Sequence, residues 1–110
     1  MPTELTPLLT AYVAAKNAHD VDGQLACFAP DAVVRDEGEE LHGTDEIRPW
    51  IERTTAAYQV TVVPTSIAEN GPATVMTALV DGSFPGAPIA FTYFLIVKAD
   101  RIASFRTEAG

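Results

Sequence analysis

The sequence predicts an α+β fold: a curved, mostly antiparallel sheet wrapped around three N-terminal helices as a cone, in one domain over residues 1–110. Three observations carry this. Helical periodicity is confined to the first half of the chain, four β-branched runs follow one another in the second half, and the links between those runs are short. Helices and strands segregated in this way pack as layers, and consecutive strands on short links form a meander.

The first helix starts between Thr3 and Pro7, where either Thr3 or Thr6 can cap and Pro7 suits a first turn. Its stripe is Leu5, Leu8, Leu9, Tyr12 and Val13, spaced for one helical face. After "KNAHD" a shorter helix is capped by Asp20, carries Val21, Leu25 and Phe28 on one face, and stops at Pro30. Ala32 to Asp36 reads as a short strand, and the following "EGEELHG" as a polar loop ending at Gly43. Thr44 is placed as the cap of the third helix, with Asp45 and Glu46 at its positive end and Ile47, Trp50, Ile51 and Thr54 facing inward. Pro49 falls at the edge of the first turn. Four strands follow at about Gln59–Ala68, Ala73–Phe84, Pro88–Lys98 and Arg101–Glu108, separated by "ENGP", "FPGAP" and "KAD". The third of these is apolar on both faces, with Phe91, Tyr93 and Leu95 opposite Ala90, Phe94 and Ile96. The outer face therefore needs cover, and a homodimer through the sheet is the expected partner state.

Composition narrows the function classes. Seven Lys and Arg against fifteen Asp and Glu leave a net charge of −8, which repels phosphate backbones and anionic lipid, so neither nucleic acid nor membrane is an expected partner. The single cysteine, Cys27, lies among apolar neighbours and reads as a buried thiol. The opening "MPTELTPLLT" has no basic segment ahead of an apolar one, and no apolar run approaches the roughly eighteen residues of a membrane span, so a cytoplasmic location is expected.

Four segments, "CFAPDAVVRDEG", "HGTDEIRPWI", "GSFPGAP" and "FLIVKADRIASF", resemble in kind and order those of the superfamily that includes nuclear transport factor 2, the ketosteroid isomerases and the SnoaL-like polyketide cyclases. The resemblance implies the NTF2-like, or cystatin-like, cone, and a frame that houses enzymes, binding proteins and scaffolds alike. In the isomerases a strand-end aspartate shuttles a proton, while a tyrosine of the first helix and a protonated second aspartate hold the oxyanion. Asp36 matches the first aspartate and Tyr12, 24 residues earlier, the tyrosine. The place of the second acid falls within Thr92, Tyr93 or Phe94, none of them acidic, so this sequence departs from the steroid isomerases there.

Strand alternation puts Asp36 on the same face as Val34 and away from Arg35. An apolar cavity raises the proton affinity of a carboxylate that faces it, which suits a base that takes a proton alpha to a carbonyl and returns it. Tyr12, with Tyr93 as a second donor, would then serve the enolate oxygen. Trp50, Phe28, Tyr93 and Phe94 are expected to line the cavity. Parity groups Arg106 with Ile102 and Ser104, a place from which it could bind a carboxylate or pair with Asp36 in the manner of the superfamily's epoxide hydrolases. Two histidines, His19 and His42, make no zinc-ligand pattern, and no phosphate loop, dinucleotide fingerprint or nucleophile elbow occurs. Any chemistry is expected to need no cofactor or metal. The expectation is a protein that binds a small apolar molecule in its cone, as an acid/base isomerase or cyclase built on Asp36, or otherwise as a non-catalytic binding or dimerisation module.

Overall fold

The computed structural model describes residues 6–36 and 38–109, so Thr3 and Leu5 of the expected first helix and Glu37 of the acidic bend lie outside the described residues. Helix α1 spans Pro7–Asn17 and is capped by Thr6, whose hydroxyl accepts the Leu9 amide at 3.2 Å. It buries Leu9, Tyr12 and Val13. Helix α2, Val21–Ala26, is capped by Asp20 through the Gly23 amide at 3.0 Å. Phe28 does not extend this helix. It opens strand β1, Phe28–Asp36, which begins ahead of the expected Ala32 and carries Pro30 at an exposed position.

The acidic segment corrects the sequence reading, because Glu39–His42 forms a strand, β2, and pairs antiparallel with β1 from Val33↔His42 to Asp36↔Glu39. Its cross-strand partners include one apolar pair, Val34 with Leu41, and one charged pair, in which Arg35 faces Glu40 and holds it at 2.7 Å. Helix α3, Gly43–Tyr58, starts two residues sooner than expected. Its cap is His42 rather than Thr44, and the His42 amide donates to the Glu46 carboxylate at 2.7 Å. Pro49 consequently sits inside the helix, on its exposed side, while Ile47, Trp50 and Ile51 are buried.

Strands β3 (Thr61–Asn70), β4 (Ala73–Asp81), β5 (Ile89–Lys98) and β6 (Arg101–Ala109) complete a curved, unclosed six-stranded sheet in the order β2-β1-β6-β5-β4-β3. Every pairing is antiparallel except β1 with β6. The helices cover the concave face. At the centre of the core Phe105 meets four aromatic rings at 5.6–5.9 Å: Tyr12, Phe28, Trp50 and Tyr93. Edge-on and tilted contacts of this kind add to the burial of large rings.

Strand β6 does not keep simple parity. Val97 pairs with Ile102 but Ile96 with Ser104, so an extra residue bulges there and both Ile102 and Phe105 turn inward. Arg106 is thereby on the outer face, across from Phe94. That face also exposes Val63 and Leu79. No helix among the described residues is long and apolar enough to cross a membrane.

Candidate functional site

The bulge in β6 decides which side chains reach the concave side. With Phe105 inward, Thr107 is inward too, and the register Val34↔Phe105 brings it beside Asp36. Thr107 Oγ1 donates to Asp36 Oδ1 at 2.9 Å, and Trp50 Nε1, from α3, donates to Oδ2 at 3.0 Å. Three elements thus converge on one carboxylate. Trp50 is held in turn by helix α3, where the Thr54 hydroxyl donates to its carbonyl at 2.9 Å.

Asp36 stands in the wall of a cavity of about 560 Å³, whose lining includes Trp50, Tyr93, Phe105 and Thr107 at one end and Tyr58, Val60, Phe84 and Pro85 at the other. Its lining is largely apolar, in the size range of small-molecule sites. The far end is shaped by Gly82, where a Cβ would come within 2.6 Å of the Tyr58 carbonyl oxygen. The absence of that carbon lets the Ser83 amide donate to Tyr58 at 2.7 Å and sets Phe84 edge-on against the Tyr58 ring at 6.2 Å.

Two further polar groups come from α1 and the turn behind it. Lys16, four residues after Tyr12 and so on the same helical face, lines the cavity with its ammonium 5.8 Å from the Tyr12 ring centre. Burial lowers the Lys16 pKa to about 8, with the Asp36 carboxylate acting the other way. No ion pair joins the two among the described residues. His19 lines the mouth and shares a hydrogen bond with the Val60 carbonyl at 3.1 Å. Neighbouring Asn17 fastens this turn to β3, its amide group donating to the Val62 carbonyl at 3.0 Å and accepting the Val62 amide at 2.6 Å.

Of the residues expected from sequence, Asp36, Trp50 and Tyr93 meet in the cavity, and burial raises the Tyr93 pKa above its ordinary value. Tyr12 does not meet them there. Its ring is packed edge-on between Phe28 and Phe105, and its fully buried hydroxyl has no hydrogen-bond partner among the described residues. Desolvation holds its pKa well above the ordinary tyrosine value. Phe28 is core rather than cavity wall. Phe94 and Arg106 lie together on the other face, with the guanidinium 4.1 Å from the ring centre and paired with Glu108, so Arg106 faces away from the cavity. Cys27 is buried, as its apolar neighbours suggest. His42 is exposed and bonded to Glu40 at 3.0 Å. Among the described residues, no cluster of three or more histidines, cysteines or acids could hold a metal ion.

Sequence reasoning missed Lys16 and Thr107. Thr107 was hidden by the bulge. The signal for Lys16 was present in its spacing from Tyr12, but a lysine in a last helical turn ordinarily serves the negative end of the helix dipole.

Comparison with known proteins agrees with this geometry. The family model of the SnoaL-like domain matches residues 9–105. A proposed polyketide cyclase from Sinorhizobium meliloti is 33% identical over 94% of this chain and 95% of its own, with a TM-score of 0.88. A protein of ketosteroid isomerase-like fold from Catenulispora acidiphila, solved with trimethylamine, is 26% identical over 94% and 86%, at a TM-score of 0.81. A cystatin-fold protein from Novosphingobium aromaticivorans, 19% identical over 92% and 94% at a TM-score of 0.74, shares the fold. The matched segment holds Asp36, Trp50 and Phe105, the core of the site, and the chain belongs to the SnoaL-like family.

Proposed function

We propose that the protein binds a small apolar carbonyl compound in its cavity and moves a proton on it, with Asp36 as the base, in a cofactor-independent isomerisation or cyclisation. The observation that carries this is the Asp36 carboxylate, fixed by Trp50 and Thr107 in the wall of a largely apolar cavity. Each oxygen accepts one hydrogen bond and keeps lone-pair capacity for a substrate proton. In the forward step a C–H bond alpha to the carbonyl breaks, an O–H bond forms on Asp36, and the electron pair moves to the carbonyl oxygen. Return of the proton to another carbon, or attack of the enolate carbon on a second carbonyl of the same molecule with the proton passing from Asp36 to the new alkoxide, completes the reaction.

The test is exchange of alpha protons in deuterated water, followed by NMR across a panel of apolar ketones. Asp36→Asn is expected to lower exchange by about 10²–10⁴-fold, the usual worth of a positioned base. The fold should persist, because the asparagine oxygen still accepts from Trp50 and the Thr107 hydroxyl can turn to accept from the new amide. Undiminished exchange in this variant would sink the assignment. One observation favours a second reading, a binding protein without turnover: the two hydrogen bonds on Asp36 are also what a purely structural clamp between α3, β1 and β6 would show. On that reading ligands bind and no ketone exchanges.

A further inference from the structure

The charged side chains that line the cavity are Lys16 and Asp36, together with the titratable His19 at its mouth. Lys16 extends from the last turn of α1, but its side chain is half-buried against the Tyr12 ring and faces the cavity instead of open solvent. A lysine ammonium carries three donors, and those of Lys16 meet no carboxylate at ion-pair distance among the described residues. Asp36 is held by Trp50 and Thr107 and makes no ion pair with it. One fixed negative and one fixed positive charge therefore address the same apolar space from different walls.

The geometry points to Lys16 as the oxyanion-binding group of this cavity, and to a neutral apolar molecule with an ionisable oxygen, an enolisable ketone or a phenol, as its ligand. This rests on the reading of Asp36 as a base and names the other half of the reaction. A neutral guest leaves the two charges balanced, whereas an acid or an amine would bring a third. When Asp36 takes the carbon-bound proton it becomes neutral, the electron pair arrives on the substrate oxygen, and the negative charge has moved from beside Trp50 to beside the ammonium. Lys16 then makes an interaction that is stronger after the transfer than before it, which is the condition for lowering a barrier. Tyr12, the tyrosine that the family resemblance offered for this task, has its hydroxyl sealed in the core one helical turn away.

The experiment needs no knowledge of the natural substrate. The protein is titrated at pH 7 with 2-naphthol and, separately, with naphthalene, and the ionised fraction of bound naphthol is read from the absorption band of the naphtholate. The wild-type protein is expected to hold the probe largely as the anion under conditions where free naphthol is neutral. Lys16→Met should lower the ratio of anionic to neutral bound naphthol about tenfold, the worth of one charge-assisted hydrogen bond, while naphthalene binding is kept. Lys16→Arg should retain the anion, and it decides the matter if the methionine variant binds neither probe. A neutral naphthol in the wild-type cavity, or a ratio unchanged in Lys16→Met, would overturn the assignment. No carbon-bound proton moves in this titration, so its result stands apart from that of the exchange test on Asp36.

Discussion

At the scale of single residues, the site turns on where two neighbours of one helical face end up. Tyr12 and Lys16 are one turn apart on α1, yet the ring goes to the core and the amine to the cavity. A buried hydroxyl without a partner costs about 1–3 kcal/mol of lost hydration. Tyr12→Phe removes that hydroxyl and keeps the three-ring packing with Phe28 and Phe105. Its expected effect is unchanged or increased stability, by up to about 1 kcal/mol in urea unfolding, with ketone exchange at the wild-type level. A loss of exchange in this variant would return Tyr12 to the reaction. Asp36 was legible from sequence because it ends a run, Ala32 to Asp36, whose alternation is simple. Lys16 was not, since whether a helical lysine points to water or to a cavity depends on how far the helix is rotated over the sheet, and the stripe of apolar residues specifies that only to within one side chain.

Among the elements, the four long strands were readable from β-branched alternation and short links, and each lies close to its expected span. Two features were not. Strand β2 has one apolar residue, Leu41, beside its charge pairs, Arg35 with Glu40 across the ladder and Arg53 of α3 with Glu39 at 2.6 Å, so it carries no apolar alternation to read. The bulge in β6 inserts one residue between Ile102 and Ser104, which reverses the facing of everything after it, and no glycine or proline marks the place. The link between α1 and the sheet is likewise invisible in the sequence: Asn17 pairs with both backbone groups of Val62 on the edge strand β3. Asn17→Ala leaves both groups without these partners and frees the turn that carries Lys16 and His19. A loss of about 2 kcal/mol is expected in denaturant unfolding, with faster amide hydrogen exchange at Val62.

For the whole molecule, the cone itself was legible, as helices followed by a meander, while the cavity was not, because an empty volume is the remainder left by packing and has no residue of its own. Its lysine couples the site to the stability of the domain. The folded-state pKa of Lys16, about 8, is below the ordinary 10.5, so between these values the unfolded chain binds more protons than the folded one and stability rises with pH. Tyr12, Tyr93 and Cys27 have raised pKa values and act in the opposite sense, the thiol above its ordinary 9.0 and the two phenols above their ordinary 10.0. The free energy of unfolding is therefore expected to increase by about 1 kcal/mol between about pH 7.5 and pH 9 in urea titrations, and to lose that increase in Lys16→Met. A flat profile in the wild-type protein would place the ammonium in water rather than in the cavity.

The bond from the indole of Trp50 to Asp36 has one more consequence. The chain contains a single tryptophan, and its N–H is tied to the carboxylate at the centre of the site. Indole emission shifts with the polarity around the ring and with the group that its N–H meets. The protein thus carries its own lamp, placed where a ligand would arrive: every tryptophan spectrum recorded from it is a reading of the site, with no label added and no second source of light to subtract.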